Sequence, residues 1–248
     1  MGIIISGDTN LGLVRKNNED SIFINKELNL YIIADGMGGH NGGEIASQMV
    51  VKLVPQFIKS NISTLKTEEL LRNSIKFANQ QIHQHAKGNP LLQGMGTTTV
   101  LLFIKDSHLF IANVGDSRAY LVNKGLLFQL SKDHSLVQEK INLGIYTRAD
   151  GQKDKMKNVL VRAVGHEPNV DIDIFRYKIN KNDIFLISSD GLHGKVSDHD
   201  IIFIINQTIP DLSTADQNQA NTTIKKLIEQ ANKNGGQDNI STILVLAQ

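Results

Sequence analysis

Cysteine is absent from this sequence of 248 residues. Its absence excludes disulfide bonds, thiolate nucleophiles and sites in which thiolates bind zinc. Any metal ion would therefore have to be held by oxygen or imidazole ligands. The length allows one large domain or two small ones, either with a sizeable core.

Long apolar runs and a strong charge of either sign are also missing. No run approaches the roughly 20 residues that cross a bilayer, and the N-terminus lacks the pattern of a signal peptide. We therefore expect a cytoplasmic protein that does not bind membranes. Lys and Arg number 26 against 25 Asp and Glu, without a basic stripe, so nucleic acid is not an expected partner.

The apolar pattern predicts strands and helices in an order typical of an α+β protein. Strands are predicted over residues 3–6, 21–25, 30–34, 172–177, 184–188 and 240–246. Helices are predicted over residues 45–58, 67–86 (with Thr67 as N-cap), 201–205 (after a capping box at Ser197) and 222–234. Four further strand patterns between residues 97 and 130 predict an antiparallel meander, and residues 144–157 lack periodicity and predict an irregular excursion. No linker composition divides the chain, so residues 1–248 are expected to form a single domain.

The most distinctive stretch runs from Tyr31 to Glu44. Its apolar start leads directly into Asp35, and five glycines together with His40 follow before Glu44. Such a pattern predicts a buried strand that delivers a carboxylate to a backbone which a ligand can approach closely. A flexible turn that needs several positive φ angles is the alternative interpretation.

Other acidic residues share this context, since they lie at strand edges beside glycine or small residues. They are Glu19 with Asp20, Asp116, Asp190 and Asp238. Each one alone is typical of an exposed turn, but five such sites predict a common cleft. Carboxylates brought together repel one another and need a cation. Oxygen ligands without cysteine favour Mg²⁺ or Mn²⁺.

Glycine-rich phosphate loops are excluded by spacing. The dinucleotide pattern would need a glycine at position 41, which is Asn, and no Gly-Lys-Ser/Thr follows. The Gly-x-Ser-x-Gly elbow of serine hydrolases is also absent.

Eight motifs in order over the chain resemble those of the metal-dependent protein serine/threonine phosphatases of type 2C, in their compact bacterial form. They are Gly12-Leu13-Val14-Arg15-x-x-Asn18-Glu19-Asp20, Asp35-Gly36-Met37-Gly38-Gly39-His40, Gly94-Met95-Gly96-Thr97-Thr98, Asn113-Val114-Gly115-Asp116-Ser117-Arg118, Lys132-Asp133-His134-Ser135, Leu160-Val161-Arg162-Ala163-Val164-Gly165, Ser189-Asp190-Gly191-Leu192 and Gly236-x-Asp238-Asn239-Ile240. The resemblance implies a four-layer αββα sandwich of two antiparallel sheets flanked by helix pairs. It also implies a flap over about residues 141–158.

The resemblance further implies the ligands of two Mn²⁺ or Mg²⁺ ions. Asp35 would bridge both ions, and the Gly36 carbonyl would bind one of them. Asp190 and Asp238 would bind the other ion. Asp20, with Glu19 beside it, would hold the second ion directly or through water. A weaker third ion would lie at Asp116, alone or with Asp190.

The implied reaction is hydrolysis of phosphoserine or phosphothreonine by attack of a metal-bridging hydroxide. A two-ion site would supply most of the rate, because one acid–base histidine contributes only about 10²–10⁴-fold. Arg15 would grip two phosphate oxygens as a planar fork, and His40 would protonate the departing oxygen. His134 lies in a family motif and is expected to be structural.

The expected partners are phosphorylated proteins, the products of a serine/threonine kinase, and the expected state is a monomer. Two readings of the same fold stay open: a non-catalytic regulator that binds phosphoproteins, and a phosphatase acting on small phosphoesters. A glycine-rich nucleotide-binding module is disfavoured by the spacings above.

Overall fold

The computed structural model describes residues 2–38 and 42–248. Its strands are β1 (Ile3–Asn10), β2 (Asp20–Asn25), β3 (Leu30–Met37), β4 (Gly96–Thr97), β5 (Thr99–Lys105), β6 (His108–Val114), β7 (Arg118–Asn123), β8 (Leu126–Gln129), β9 (Asp173–Lys178), β10 (Ile184–Ser188) and β11 (Ile240–Ala247). Its helices are α1 (Gly42–Asn61), α2 (Thr67–Lys87), α3 (Leu136–Asn142), α4 (Arg148–Lys153), α5 (Asp190–His193), α6 (Asp198–Thr208) and α7 (Gln217–Lys233), with short 3₁₀ turns at Pro90–Leu92 and Leu212–Thr214. None of these helices is long and apolar enough to cross a membrane.

The strands form two antiparallel sheets that pack face to face. One sheet has the order β2-β3-β5-β6-β9, with the short β4 paired to the end of β3, and the other has the order β1-β11-β10-β7-β8. Helices α1 and α2 pack on the outer face of the first sheet, and α6 and α7 pack on the outer face of the second. The predicted four-layer αββα sandwich is therefore confirmed.

Burial on both faces explains why the central strands contain runs of consecutive apolar residues. In β3, Leu30 and Ile32 pack toward the helices, whereas Tyr31 and Ile33 pack between the sheets. A strand with one solvated face would alternate between apolar and polar residues, but these strands have no solvated face. The three apolar layers hold the strand ends of both sheets in fixed positions.

The predicted meander between residues 97 and 130 is wrong in one respect, because its four main strands divide between the two sheets. The hairpin β5–β6 belongs to the first sheet, and the hairpin β7–β8 belongs to the second. Between them the chain crosses from sheet to sheet through Gly115, whose φ of +102° favours glycine. Asp116 therefore lies at a crossing between sheets and not in a hairpin turn.

Several predicted boundaries also differ from the structure, including those of β1, α1 and α6, and three further differences have a local physical reason. Residues 144–157 were expected to be irregular but include α4, which Thr147 and Asp150 cap reciprocally. Thr67 already lies inside α2, so the capping position is Lys66, whose side chain makes no capping bond. Helix α7 starts five residues earlier than predicted, since a capping box between Asp216 and Gln219 initiates it.

Candidate functional site

The ends of β2 and β3 bring two acidic residues together. Asp20 and Asp35 are direct partners in the antiparallel register, so their side chains project from the same face. That face continues the one on which Tyr31 and Ile33 pack between the sheets. Gly36 allows the end of β3 to lie close to the backbone of Glu19, because a Cβ at Gly36 would be 2.7 Å from the carbonyl oxygen of Glu19.

The backbone of Asp35 is fixed by two threonines. The Asp35 amide donates to the Thr98 hydroxyl (3.0 Å), and the Asp35 carbonyl accepts from the Thr98 amide (2.8 Å) and the Thr97 hydroxyl (2.9 Å). The Thr98 hydroxyl also bonds to the Ser117 hydroxyl (2.7 Å), beside Asp116. The hydroxyl of Thr98 therefore connects the strand that carries Asp35 with the crossing that carries Asp116.

The second sheet contributes Asp190 and Asp238. Asp190 is the first residue of α5, directly after the buried strand β10, and Asp238 precedes β11, the neighbour of β10. Gly191 allows α5 to lie against the backbone beside Asp238, since a Cβ at Gly191 would be 2.8 Å from the carbonyl carbon of Asn239. A larger residue at Gly191 would push the two carboxylates apart.

These elements enclose a cleft of about 830 Å³ at one end of the sandwich. All but one of the described residues predicted for the site line it: Arg15, Glu19, Asp35, Gly36, Asp116, Asp190 and Asp238. The exception is Asp20, which is only 6% exposed and lies beneath the cleft surface. The predicted acid–base residue, His40, lies outside the described residues.

Burial and the charges of neighbouring carboxylates both disfavour the ionised form of the carboxyl groups at the bottom of the cleft. Burial raises the pKa of Asp35 well above its ordinary value, and the neighbouring charges of Asp20, Asp190 and Asp116 raise it further. Burial raises the pKa of Asp20 to about 7 and that of Asp190 to about 6. It raises the pKa of Asp116 to about 8, with a further contribution from Asp190. This cluster is stable as anions only with a cation beside it.

The chemistry of these donors fits a hard divalent cation. Asp20 shows this most clearly, because its Oδ2 accepts from the Ser189 hydroxyl (2.8 Å) while its buried Oδ1 has no hydrogen-bond partner. An orphaned buried carboxylate oxygen is costly unless something completes it. Carboxylate oxygens are the ligands that Mg²⁺ and Mn²⁺ prefer.

The carboxylates share a cleft but do not converge on a single point. Within residues 2–38 and 42–248, no three acidic or imidazole side chains stand close enough to hold one ion between them. Asp238 illustrates the reason, since its Oδ2 accepts from Arg15 (2.8 Å) and its Oδ1 accepts from the Asn239 amide (2.9 Å). A site of two or three ions therefore requires side chains such as Asp238 to turn toward the metal.

Arg15 and Asp238 form the rim of the cleft. The Arg15 side chain is 49% exposed and that of Asp238 is 31% exposed, so their ion pair is solvated. The hydrogen bond to Asp238 raises the pKa of Arg15, which keeps the guanidinium charged at the cleft entrance. A charged guanidinium next to the carboxylates is suited to binding an oxyanion.

Several residues at this site carried no predicted role. Thr98 and Arg162 line the cleft, and Asn239 accepts from the Glu19 amide while donating to the carbonyls of Leu11 and Asn17. All three belong to the motifs of the sequence, which gave their position along the chain but no function.

Comparison with known proteins identifies the family of the chain. A family model described as Protein phosphatase 2C matches residues 14–244. The chain belongs to the protein phosphatase 2C family. The phosphatase is 38% identical over 243 residues to the serine/threonine phosphatase stp of Listeria welshimeri, covering 96% of this chain and 93% of that protein.

Solved structures show the same fold. The phosphatase matches the Mycobacterium tuberculosis serine/threonine phosphatase PstP/Ppp with a TM-score of 0.89 and 29% identity, over 99% of both chains. A structure of the PstP catalytic domain with two manganese ions matches with a TM-score of 0.84 and 28% identity, over 99% of both chains. The predicted identity, a metal-dependent serine/threonine phosphatase, is confirmed.

Proposed function

We propose that this phosphatase holds two Mn²⁺ or Mg²⁺ ions between the acidic strand ends of its two sheets. The observation that carries the proposal is the set of buried carboxyl groups whose pKa values are raised by burial and mutual repulsion at the bottom of one cleft. Such shifts are typical of functional sites. The two manganese ions of the PstP structure support the same number of ions here.

The individual ligand roles are proposed as the family resemblance implies them. Asp35, whose pKa is raised by carboxylates from both sheets, would bridge the ions, and the Gly36 carbonyl would bind one of them. Asp190 and Asp238 bind the other, once Asp238 has turned from Arg15. Glu19 lines the cleft and Asp20 lies beneath it, so Glu19 reaches the second ion more directly than Asp20 does.

A third and weaker ion is proposed at Asp116. Asp116 reaches the cleft from the crossing between the sheets, and among the neighbouring charges that of Asp190 raises its pKa most. A cation at this position would neutralise Asp116 together with the neighbouring charge of Asp190.

The protein's own groups bind and orient the phosphate. Arg15 is the predicted phosphate-binding residue, and its planar guanidinium matches two phosphate oxygens. His40 is proposed to protonate the departing serine or threonine oxygen. When bound, divalent ions generate a nucleophile from water near neutral pH and neutralise the phosphoryl oxygens.

The substrates are proposed to be phosphoproteins made by a serine/threonine kinase. The serine/threonine phosphatase names of the relatives support this substrate class. The whole chain is proposed to act as one catalytic domain, with residues 141–158 as its flap. The monomeric state and the cytoplasmic location stay predictions. The proposed ion is either Mn²⁺ or Mg²⁺.

The function is tested by turnover of matched phosphoserine, phosphothreonine and phosphotyrosine peptides, with Mn²⁺ and with excess chelator. We expect hydrolysis of the first two peptides with Mn²⁺, loss in chelator and recovery when Mn²⁺ is restored. Full activity in excess chelator would contradict the metal site. Binding of phosphopeptides without turnover would favour the regulator, and activity on small phosphoesters alone would favour the second alternative.

A further inference from the structure

His134 uses every hydrogen-bonding group that it has, although it does not line the cleft. The residue is only 4% exposed and follows β8 at the start of the segment that leads into α3. Its backbone amide donates to the Gly115 carbonyl (2.9 Å), and its carbonyl accepts from the Val161 amide (2.9 Å). Its two ring nitrogens contact the backbone amide of Gly115 and the carboxylate of Asp173. His134 is therefore a junction between separate segments of the chain.

The tautomer of the His134 ring follows from its partners. The Gly115 amide donates to Nδ1 (3.1 Å), so Nδ1 must carry a lone pair and Nε2 must carry the hydrogen. Nε2 lies 3.2 Å from Oδ2 of Asp173, which accepts that hydrogen. Burial lowers the pKa of His134, which keeps the ring neutral as this pattern requires.

The ring of His134 fixes the residue next to Asp116. Gly115 is bonded at both its amide and its carbonyl by His134, and the side-chain amide of Asn113 also donates to the carbonyl (3.3 Å). On its other side, Gly115 packs against the side chain of Thr98, which a Cβ at Gly115 would approach to 2.7 Å. His134 thus holds the backbone on the N-terminal side of Asp116, while Nε2 of His193 lies 3.2 Å from the Asp116 carbonyl oxygen.

The other end of this chain of contacts reaches the cleft wall. Asp173 accepts from Nη1 of Arg162 (3.1 Å) through its Oδ1, and Arg162 lines the cleft. The next residue along the backbone, Val161, is bonded to the carbonyl of His134. Arg162, Asp173, His134 and Gly115 therefore form a continuous path from the cleft wall to Asp116.

We propose that His134 is a positioning residue for Asp116, and that Asp173 orients its ring so that Nδ1 holds the Gly115 amide. The inference rests on the proposed function in one respect, namely that Asp116 contributes to metal binding. It gives a role to two side chains outside the acidic cluster. It also separates the two bonds of the ring, since only the bond to Gly115 acts directly on Asp116.

Two substitutions separate those bonds. In His134→Asn, the amide group lies near the position of Nδ1, so its oxygen can accept from Gly115 while the bond to Asp173 is lost. In His134→Gln, the longer side chain reaches the position of Nε2 and can donate to Asp173, while the bond to Gly115 is lost. The readout is calorimetric titration of the full-length, metal-free chain with Mn²⁺, together with the Mn²⁺ dependence of kcat.

We expect His134→Gln to weaken Mn²⁺ binding at the third site, the one at Asp116, by about tenfold or more, which is the range typical of lost support for a ligand. His134→Asn should stay closer to wild type. Equal affinities in the two variants, or equal losses, would overturn the inference. Asp116→Asn is titrated in parallel. Unchanged affinity in Asp116→Asn refutes the proposed ligand role, whereas a loss there combined with a wild-type His134→Gln refutes only the positioning role.

Asp173→Leu keeps the test decisive if the buried substitutions unfold the chain, as monitored by circular dichroism. The Asp173 side chain is 31% exposed at the start of β9, so its replacement disturbs the interior less than a change of the buried His134 does. Removing it frees the ring of His134 to adopt the other tautomer, so Mn²⁺ affinity should fall severalfold. Wild-type affinity and wild-type Mn²⁺ dependence of kcat in Asp173→Leu would overturn the inference.

Discussion

The bottom of the cleft and its rim treat charge in opposite ways. At the bottom, Asp20, Asp35 and Asp190 are carboxyls whose pKa values burial raises, and none of them has a salt-bridge partner within the described part of the chain. At the rim, Asp238 and Arg15 form a solvated ion pair. The charges at the rim neutralise each other, whereas the carboxylates at the bottom need a bound cation to neutralise them.

This difference separates the two tasks of a phosphatase. Buried like charges cost free energy in the folded chain, and the cost is removed when a cation binds. An exposed ion pair contributes little to stability, so Arg15 can leave Asp238 at small cost to contact a phosphate. We therefore propose that the bottom of the cleft binds the metal, joined by Asp238 once it has turned from Arg15, and that Arg15 at the rim binds the phosphate.

The largest effect should come from Asp35→Asn at the bottom. Neutralising the proposed bridge should lower kcat/KM by at least about 10³-fold, the upper end of losses for a single electrostatic stabiliser. The same change removes one of several repelling charges, so the metal-free protein should become more stable to heat. Both effects are measured on one preparation, by phosphopeptide turnover and by calorimetric unfolding in chelator.

Asp171→Asn is the matched control, because Asp171 is an exposed carboxylate on the same cleft outside the acidic cluster. It should keep most of its activity. An active Asp35→Asn variant, or an equal loss in both variants, would mean that the bottom of the cleft is wrongly assigned.

At the rim, Arg15→Lys should give a smaller effect of a different kind. Lys keeps the charge but loses the planar fork, so kcat/KM should fall by about 10–100-fold, the value of one charged hydrogen bond, with KM rising most. Lys16→Ala, on the next exposed cation, is the control. A loss that appears in Mn²⁺ affinity, and not in KM, would place Arg15 with the metal ligands.

The smallest effect concerns pH. Asp20 and Asp116 have pKa values of about 7 and about 8 in the folded protein, against roughly 4 in an unfolded chain. The folded state therefore binds more protons between those values, and the free energy of unfolding falls as pH rises through that window. In chelator, Tm should be higher near pH 5 than near pH 8.

Added Mn²⁺ should reverse that trend, because the ion binds the ionised carboxylates. Asp116→Asn should flatten the slope measured in chelator, since one of the titrating groups is removed. A slope that is the same with and without Mn²⁺, and the same in Asp116→Asn, would show that other groups determine it.

Much of the cleft could be predicted from the sequence, because Asp35 and Asp190 each follow an apolar run that must end at a buried edge. The sequence could not show that Glu19 faces the cleft while Asp20 lies beneath it. Glu19 lies just before β2, and only the pairing of Asp20 with Asp35 places the Asp20 side chain on the face between the sheets.

Contacts between distant segments were equally hidden. Arg15 and Asp238 are 223 positions apart, and no local pattern links them. The crossing at Gly115 could not be predicted either, because β5–β8 are all strand-like and their apolar residues do not say which sheet each hairpin joins. His134 could be assigned to a motif, but its tautomer follows only from the Gly115 amide and Asp173.

The most direct test of the central claim is calorimetric titration of the chelator-treated phosphatase with Mn²⁺, beside Asp35→Asn and Asp238→Asn. We expect two ions of high affinity in the wild type, loss of both in Asp35→Asn, and loss or weakening of one in Asp238→Asn. Wild-type stoichiometry and affinity in Asp35→Asn would contradict it, because the bottom of the cleft would then not hold the metal.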